Sequence, residues 1–226
     1  MGWTSFDVVA KVRNILLQEY KTQNSKSAFT STAKLKVGHT GTLDPLASGL
    51  MVLVLGKFTK RATEFSKLDK IYEAELILGA TSTTGDREGE LTQKSTLRPS
   101  KVEVKDAVDK FVGEIRQTPP AYSAIKIGGQ RAYKLAREGR EVNIEPRRIT
   151  VYSITNIKYQ YPKIIFTARV SSGTYIRSLA EDIGKKLGTG AYLSALRRTR
   201  VGELSVEQAV IIPGLNYDII KENING

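Results

Sequence analysis

The chain has 226 residues, of which 40% are hydrophobic and 26% charged, so it can form a hydrophobic core and is unlike a disordered protein. No apolar run approaches the roughly 18 residues of a membrane-spanning helix, and no signal peptide is visible at the start. The lack of cysteine and the single histidine exclude disulfides, a thiolate nucleophile and a His/Cys metal site. We therefore expect a cytoplasmic protein without a metal and without membrane contact.

The net charge is +12, from 35 Lys and Arg against 23 Asp and Glu. Such an excess favours a polyanionic partner, because a basic surface gains affinity by releasing the counterions condensed on nucleic acid. Nucleic acid is the partner that the charge favours first. Anionic lipids and acidic proteins are the alternatives that it leaves open.

The first part of the chain carries one helical and two strand-like patterns. Thr4 and Ser5 are candidate N-caps of a helix, whose apolar face at helical spacing is formed by Val9, Val12, Leu16 and Tyr20. After a polar connection at 21–37, the apolar run 50–55 predicts a buried strand. The segment KIYEAELILG alternates like a half-buried strand, with its inward face formed by Tyr72, Ala74, Leu76 and Leu78.

The remainder of the chain contains both helical and strand-like hydrophobic patterns. Helical patterns occur at 100–112, 130–138 and 174–187, and strand-like patterns at 121–127, 149–157, 164–171 and 191–197. The end of the chain predicts one more short helix. This mixture predicts an α+β fold, and the lack of repeats and of a long Pro/Gly/Ser linker predicts one domain over residues 1–226.

The loop GHTGTLDPLASG, from Gly38 to Gly49, combines three glycines with the only histidine of the chain. One interpretation is structural: Asp44 caps a helix, Pro45 is its first residue and Gly49 ends it. It leaves Gly38 and Gly41 without a role beyond the positive φ that glycine permits in any turn. A second, compatible interpretation is a rigid loop that presents the Asp44 carboxylate at a cleft.

Arg177 and Tyr72 also have ordinary explanations. Arg177 lies beside the apolar stripe of the helix predicted at 174–187, where a surface ion pair with Glu181 would contribute about 0.3 kcal/mol. Tyr72 lies on the inward face of its strand, as a core tyrosine does. Local pattern alone therefore favours structural roles for both side chains.

Basic segments concentrate in the second half of the chain. Three tyrosines, Tyr122, Tyr133 and Tyr192, accompany them in the same half of the chain. The basic residues are Arg131, Lys134, Arg137 and Arg140, then Arg147 and Arg148, and finally Arg197, Arg198 and Arg200. Charged runs are usually solvated faces, but this arrangement also suits phosphate contacts combined with stacking on bases or sugars. We predict contact with RNA or DNA.

Three classes of protein are excluded by missing motifs. The segment from Ser123 to Lys126 matches the S-x-x-K of serine acyl-enzymes, but the S-D-N and K-T-G elements that accompany it are absent. There is also no G-x-S-x-G nucleophile elbow and no phosphate-binding P-loop sequence. The four-residue match is therefore treated as accidental.

Four segments together resemble the TruB family of tRNA pseudouridine synthases, in the order in which the family has them. They are GHTGTLDPLASGLMVLVLGKFTK, KIYEAELILGATSTTGD, TPPAYSAIKIGGQRAYKLAR, and SSGTYIRSLAEDIGKKLG followed by LRRTRVG. The resemblance runs from Trp3 to about Gly202. It implies the pseudouridine synthase fold, with a mixed, mostly antiparallel central sheet flanked by helices and a catalytic cleft, and it outweighs the structural interpretations above.

The resemblance also implies a reaction and its residues. The family isomerises uridine to pseudouridine at position 55, in the T-loop of tRNA, without a cofactor or a metal. Its nucleophilic aspartate maps to Asp44, its tyrosine to Tyr72 and its arginine to Arg177. The implied contacts to the RNA are His39, Gly38, Thr42, Tyr175, Leu196, Lys126, Arg131, Arg197 and Arg198.

These residue types suit a reaction that breaks the bond from uracil N1 to C1′, turns the base and joins C5 to C1′. Whether Asp44 attacks C1′ or removes a sugar proton is left open. Arg177 beside Asp44 favours the charged carboxylate, and Tyr72 stacks on the base and helps to remove the C5 proton. The uridine must first be extruded from the folded T-loop.

Two departures from the family pattern affect these expectations. The family usually begins with a short strand that carries Asp-Lys-Pro, and Met1 and Gly2 stand in its place, which weakens the expected support for Tyr72. After Gly202 only 24 residues remain, so we expect no C-terminal PUA domain. We expect a monomer that acts on the T-arm of tRNA. The alternative is a tRNA-binding or tRNA-folding module without catalysis.

Overall fold

The computed structural model describes residues 3–23 and 35–224, so Met1, Gly2 and most of the polar connection at 21–37 lie outside it. The helices within these ranges are α1 (Ser5–Gln23), α2 (Ala62–Ser66), α3 (Lys101–Asp109), α4 (Ala132–Arg137), α5 (Ile176–Lys186) and α6 (Tyr217–Ile224), with 3₁₀ helices at Gly56–Arg61 and Val206–Gln208. The strands are β1 (Val37–His39), β2 (Ala47–Gly49), β3 (Leu53–Leu55), β4 (Lys70–Leu78), β5 (Ala80–Ser82), β6 (Leu91–Gln93), β7 (Gly113–Gln117), β8 (Lys126–Ile127), β9 (Gln130–Arg131), β10 (Arg147–Gln160), β11 (Lys163–Val170), β12 (Ala191–Val201) and β13 (Leu204–Ser205).

A seven-stranded sheet forms the centre of the fold. Its strand order is β13–β12–β4–β11–β10–β7, with antiparallel neighbours throughout, and β2 pairs with β12 in parallel. The short pairs β1–β3, β5–β6 and β8–β9 lie beside it. The predicted α+β class, with a mixed and mostly antiparallel sheet, is confirmed.

The main core lies between this sheet and the helices α3 and α5. On β4 the predicted alternation is observed, because Ala74, Leu76 and Leu78 are buried and Tyr72 packs against the same core. Strand β4 is flanked on both sides by long strands, so its backbone is hydrogen-bonded in both directions. Tyr72 is therefore held on a rigid strand.

Helix α1 begins at Ser5, and Thr4 is its N-cap. The Thr4 backbone N–H donates to Asp7 Oδ2 at 2.8 Å, and the Asp7 N–H donates to Thr4 Oγ1 at 3.2 Å, which is a reciprocal capping arrangement. The helix buries Val8, Val9 and Val12. Ile15 and Leu16 pack against the same cluster, whereas Tyr20, predicted on the apolar face, is 50% exposed.

Several short elements differ from their predicted extents. Of the strand predicted at 121–127, only β8 forms, because the backbone before it bonds instead to the start of α4: Ala132 N–H donates to Ile125 O and Tyr133 N–H to Ser123 O. The predicted strand 50–55 shortens to β3, and the helix predicted at 100–112 ends at Asp109. None of the described helices has the length and apolarity to cross a membrane.

Candidate active site

The loop between β1 and β2 carries Asp44 in a turn rather than at a helix start. Ala47 N–H donates to Asp44 O at 2.8 Å, and the chain then runs straight into β2, which pairs with β12. The helix-capping interpretation of Asp44 is therefore wrong, because residues 47–49 find their backbone partners in the sheet. The loop is anchored to α1, since Leu43 N–H donates to Ser5 Oγ at 3.1 Å.

Arg177 holds the Asp44 carboxylate with two parallel hydrogen bonds. Its Nε lies 2.9 Å from Asp44 Oδ2, and its Nη2 lies 3.1 Å from Asp44 Oδ1. The Arg177 side chain is 4% exposed and that of Asp44 is 31% exposed, so one side of the carboxylate faces solvent. This bidentate geometry fixes the carboxylate plane while part of the Asp44 side chain stays exposed.

The remaining donors of Arg177 bind two further segments. Nη1 donates to Thr84 O at 3.0 Å and Nη2 to Tyr122 O at 3.0 Å. The surface pair with Glu181 is not formed, because Arg177 lies in the buried first turn of α5 and its side chain reaches back towards the Asp44 loop. One guanidinium thus joins α5 to three loops.

A second carboxylate, Asp86, was not identified from the sequence. Its side chain is 5% exposed, and its Oδ2 lies 3.7 Å from Arg177 Nε. Its Oδ1 accepts from Thr84 Oγ1 at 2.6 Å and from Glu88 N–H at 3.0 Å. The available signal was its position at the end of the segment KIYEAELILGATSTTGD, in a turn of threonine and glycine. Arg177 is therefore flanked by two carboxylates, of which Asp44 is the accessible one.

The start of α5 is fixed by a buried amide. Gln117 is 1% exposed, and its side chain donates to Tyr175 O at 3.1 Å and accepts from Tyr175 N–H at 2.8 Å. The Arg147 guanidinium lies 5.1 Å from the centre of the Tyr175 ring and donates to Gly173 O. These contacts orient the turn from which Arg177 projects.

Tyr72 and Arg198 are opposite each other on β4 and β12, so their side chains lie on the same face of the sheet. Burial raises the pKa of Tyr72, and the nearby Asp44 charge raises it further, while the charge and hydrogen bond of Arg198 act in the opposite sense. The phenol is therefore protonated at neutral pH. The Arg198 guanidinium is the positively charged group beside this phenol.

His39 lies at the end of β1 and is partly buried. Burial lowers its pKa, and the positive charge of Arg198 lowers it further, so the imidazole is neutral at neutral pH. Its Nδ1 is buried without a hydrogen-bond partner within the described ranges. The ring is thus an uncharged group at the edge of the Asp44 loop.

Arg198, predicted to contact RNA, has a buried side chain. Arg198 is 2% exposed, and its Nε donates to Leu50 O at 2.8 Å. Alternation along β12 turns Arg197 outward and Arg198 inward, and the β-bulge between Arg198 and Arg200 leaves Arg200 outward as well. Leu196, also predicted to contact RNA, is 7% exposed and belongs to the main core.

The other predicted RNA contacts lie around the site in different degrees of exposure. Lys126 and Arg131 are exposed on the β8–β9 hairpin, Thr42 is exposed, and Gly38 and Tyr175 are partly buried. Tyr122 O connects the segment before this hairpin to Arg177.

Ser123 does not bond to Lys126: it is buried and its hydroxyl has no partner in the described part of the chain. The same part of the chain contains no cluster of metal-binding side chains.

Solved structures share this architecture. A chain in a crystal structure of a Cbf5–Nop10–Gar1 complex is 30% identical, with a TM-score of 0.62 over 90% of this chain and 47% of that chain. A chain in a structure of an H/ACA RNP bound to a substrate RNA containing 2′-deoxyuridine is 27% identical, with a TM-score of 0.62 over 93% of this chain and 47% of that chain. These neighbours have the pseudouridine synthase fold, and so has this chain.

Matches to family models identify the protein family more narrowly than the fold does. A model described as TruB family pseudouridylate synthase (N terminal domain) matches residues 26–176. A second, described as tRNA pseudouridylate synthase B C-terminal domain, matches residues 177–222. The chain belongs to the TruB family of pseudouridylate synthases. Both matched parts contribute strands to the central sheet, since β4, β7, β10 and β11 come from the first and β12 and β13 from the second.

Several curated relatives carry the name tRNA pseudouridine synthase B. That of Cupriavidus metallidurans is 49% identical over 179 residues, which are 78% of this chain and 57% of the relative. That of Bacteroides fragilis is 44% identical over 214 residues, which are 93% of this chain and 86% of the relative. That of Burkholderia mallei is 46% identical over 181 residues, which are 80% of this chain and 60% of the relative. The chain thus spans less than two thirds of two of these relatives and most of the third.

Proposed function

We propose that this protein converts uridine to pseudouridine at position 55 in the T-loop of tRNA, with Asp44 as the nucleophile. The observation that carries the proposal is the bidentate pair of Arg177 and Asp44, which leaves one side of the carboxylate accessible, in a chain of the TruB family. The relatives named tRNA pseudouridine synthase B support the choice of tRNA as substrate. The proposed catalytic unit is one domain that extends over the whole chain and acts as a monomer.

In the proposed reaction Arg177 fixes the direction of the Asp44 carboxylate, so that one of its oxygens meets the ribose of the flipped uridine. Attack on C1′ and removal of a sugar proton both use this same oxygen. Tyr72, held on β4 beside Arg198, stacks on the uracil and helps to move the proton that leaves C5, while the N1 atom released from C1′ takes up a proton. Because burial raises the pKa of Tyr72, its hydroxyl begins the reaction protonated.

The RNA is proposed to lie across the face that carries the Asp44 loop and the β8–β9 hairpin. His39, Gly38, Thr42 and Tyr175 surround the flipped nucleotide, and Leu196 supports the floor beneath it. The proposed phosphate contacts are the exposed Lys126, Arg131 and Arg197. Extrusion of the uridine costs a few kcal/mol, which stacking and these basic contacts offset.

The proposal is tested by incubating a T-arm stem-loop RNA with the protein in EDTA and mapping pseudouridine in the product. We expect one modified position, the uridine equivalent to position 55, and no product when that uridine is replaced by cytidine. Tight binding of the RNA without any product would show a tRNA-binding module instead of an enzyme. Modification at a different uridine would refute the proposed site while preserving the class of reaction.

A further inference from the structure

Arg198 binds both polar groups of the Leu50 backbone. Leu50 N–H donates to Arg198 O at 2.8 Å, and Arg198 Nε donates to Leu50 O at 2.8 Å. The parallel pairing of β2 with β12 ends at the Gly49 position, opposite Arg198. The Arg198 side chain therefore secures the chain one residue beyond the last strand pair, at the end of the loop that carries Asp44.

The same guanidinium binds the beginning of that loop. Arg198 Nη2 donates to Gly41 O at 3.1 Å, and Nη1 lies 3.5 Å from Thr42 O. Gly41 and Leu50 are the two ends of the segment 41–50, and Asp44 lies between them. One buried side chain thus joins both ends of the loop, which restricts the positions that its carboxylate can adopt.

Two glycines of the loop leave the space that this arrangement needs. A Cβ atom at Gly41 would lie 3.3 Å from Arg198 Nη1, which is closer than ordinary contact. Gly49 has a φ of +99°, and a Cβ atom there would lie 2.2 Å from Arg198 O. At Gly38 the corresponding contact, with Val54, is an ordinary 3.7 Å. Gly41 is therefore explained by the approach of the Arg198 side chain, and Gly49 by its positive φ and by the approach of the backbone at position 198.

We propose that Arg198 is a positioning residue for the reaction: it closes the segment 41–50 so that Asp44 meets Arg177, and it holds Tyr72 from the adjacent strand. This inference rests on the proposed function. Arg198 acts through the loop and through Tyr72, and no contact with the RNA is assigned to it. Loss of its geometry should therefore slow the chemical step and leave RNA affinity nearly unchanged.

The first experiment compares Arg198→Lys with Arg169→Lys. Lysine keeps the charge but cannot donate to Leu50 O and Gly41 O from one planar group. We expect the single-turnover rate with T-arm RNA to fall about a hundredfold, as small misplacements of reacting groups do, with Kd within about threefold of the parent value. Arg169 is an exposed strand arginine paired with Asp69 at 2.9 Å, and Arg169→Lys should keep the parent rate.

The second experiment uses the only histidine of the chain as a reporter that needs no activity. Because the charge of Arg198 lowers the pKa of His39, Arg198→Gln should raise that pKa, and Arg169→Gln should not. The measurement is an NMR titration of the single imidazole resonance. A fold-stabilising role alone predicts that folded Arg198 variants keep the parent rate, which would overturn the proposal. An unchanged His39 pKa in Arg198→Gln would overturn the placement of the Arg198 guanidinium beside the beginning of the loop.

If Arg198→Gln does not fold, the variant Gly41→Ala tests the positioning role of Arg198 instead. The new methyl group pushes on Arg198 Nη1, so Gly41→Ala should slow single turnover about tenfold in the parent and much less in the Arg198→Lys background, where that nitrogen is missing. Equal slowing in both backgrounds would contradict the inference. A parent protein that forms no pseudouridine refutes the proposed function instead, and the His39 titration still tests whether the Arg198 guanidinium lies beside the beginning of the loop.

Discussion

Buried arginines are rare, and Arg177 and Arg198 satisfy their guanidinium groups in different ways. Arg177 binds a carboxylate and two backbone carbonyls, while the hydrogen bonds of Arg198 to the loop go to backbone carbonyls. The family pattern identifies Arg177 from the sequence. It does not separate Arg198 from its neighbour Arg197, because three arginines within four residues show only charge, and the inward position follows from the pairing of β12 with β4.

Replacing Arg177 by lysine should nearly abolish turnover. A lysine retains the positive charge, but a single ammonium cannot hold both Asp44 oxygens and the two carbonyls at once. We expect the single-turnover rate on T-arm RNA to fall by at least about a hundredfold, close to 2.7 kcal/mol. Arg61→Lys, in an exposed pair with Glu64, is the matched control and should be unaffected. A rate for Arg177→Lys close to that of the parent would contradict the role of the planar pair.

Lys70 should make stability depend on pH in the alkaline range. Its Nζ donates to Ser66 O at 2.5 Å and Leu68 O at 2.6 Å, and burial, followed by the charge of Arg198, lowers its pKa to about 8. The unfolded chain binds this proton up to the ordinary pKa near 10.4. The contribution of Lys70 to the stability of the fold is therefore fully present above this ordinary pKa, and it is lost as the pH falls through about 8.

The measurement for Lys70 is the free energy of unfolding in denaturant, compared between the parent and Lys70→Met. Between neutral pH and about pH 10, the free energy of unfolding of the parent should rise relative to that of Lys70→Met by up to about 3 kcal/mol. This is the equivalent of a shift of about two pKa units. A constant difference between the two proteins over this range would show that Lys70 has an ordinary pKa.

At the level of elements, the long periodic segments were predictable and the short ones were not. β4, β10, β11 and α5 follow from alternation or helical spacing over eight or more residues, which burial on one face produces. β2 and β7 do not stand out, because three to five residues carry too little pattern and their partners are distant in sequence. Asp44 and Gln117 lie in or beside these short elements. The fold around the site is therefore harder to predict than the core.

Gln117 should matter for the site because it is the contact through which β7 holds the start of α5. Gln117→Ala removes two hydrogen bonds and leaves the Tyr175 N–H and C=O without these partners, so we expect a loss of about 2 to 3 kcal/mol in the free energy of unfolding. The folded variant should also turn over more slowly, since Arg177 projects from the released turn. Gln130→Ala, at an exposed position, is the control. Unchanged stability would show that this amide is replaceable.

At the level of the whole molecule, the charge of +12 predicts binding that weakens steeply with salt, since each phosphate contact releases about 0.7 to 0.9 of a counterion. The double variant Arg131→Gln/Arg197→Gln removes two exposed charges, so the slope of log K against log salt should flatten by about one to two units. Arg61→Gln/Arg169→Gln removes the same charge from arginines already paired with carboxylates. Equal flattening in both double variants would show that net charge, and not the proposed contacts, governs binding.

The central claim is that the accessible carboxylate of Asp44 performs the chemistry, and Asp44→Asn tests it most directly. Asparagine keeps the size and turn-forming ability of the side chain and removes its negative charge. The measurement is the single-turnover rate at saturating T-arm RNA, with Kd determined on the same samples. We predict no detectable pseudouridine and a Kd within about threefold of the parent value. A rate for Asp44→Asn within about tenfold of the parent rate would contradict the account.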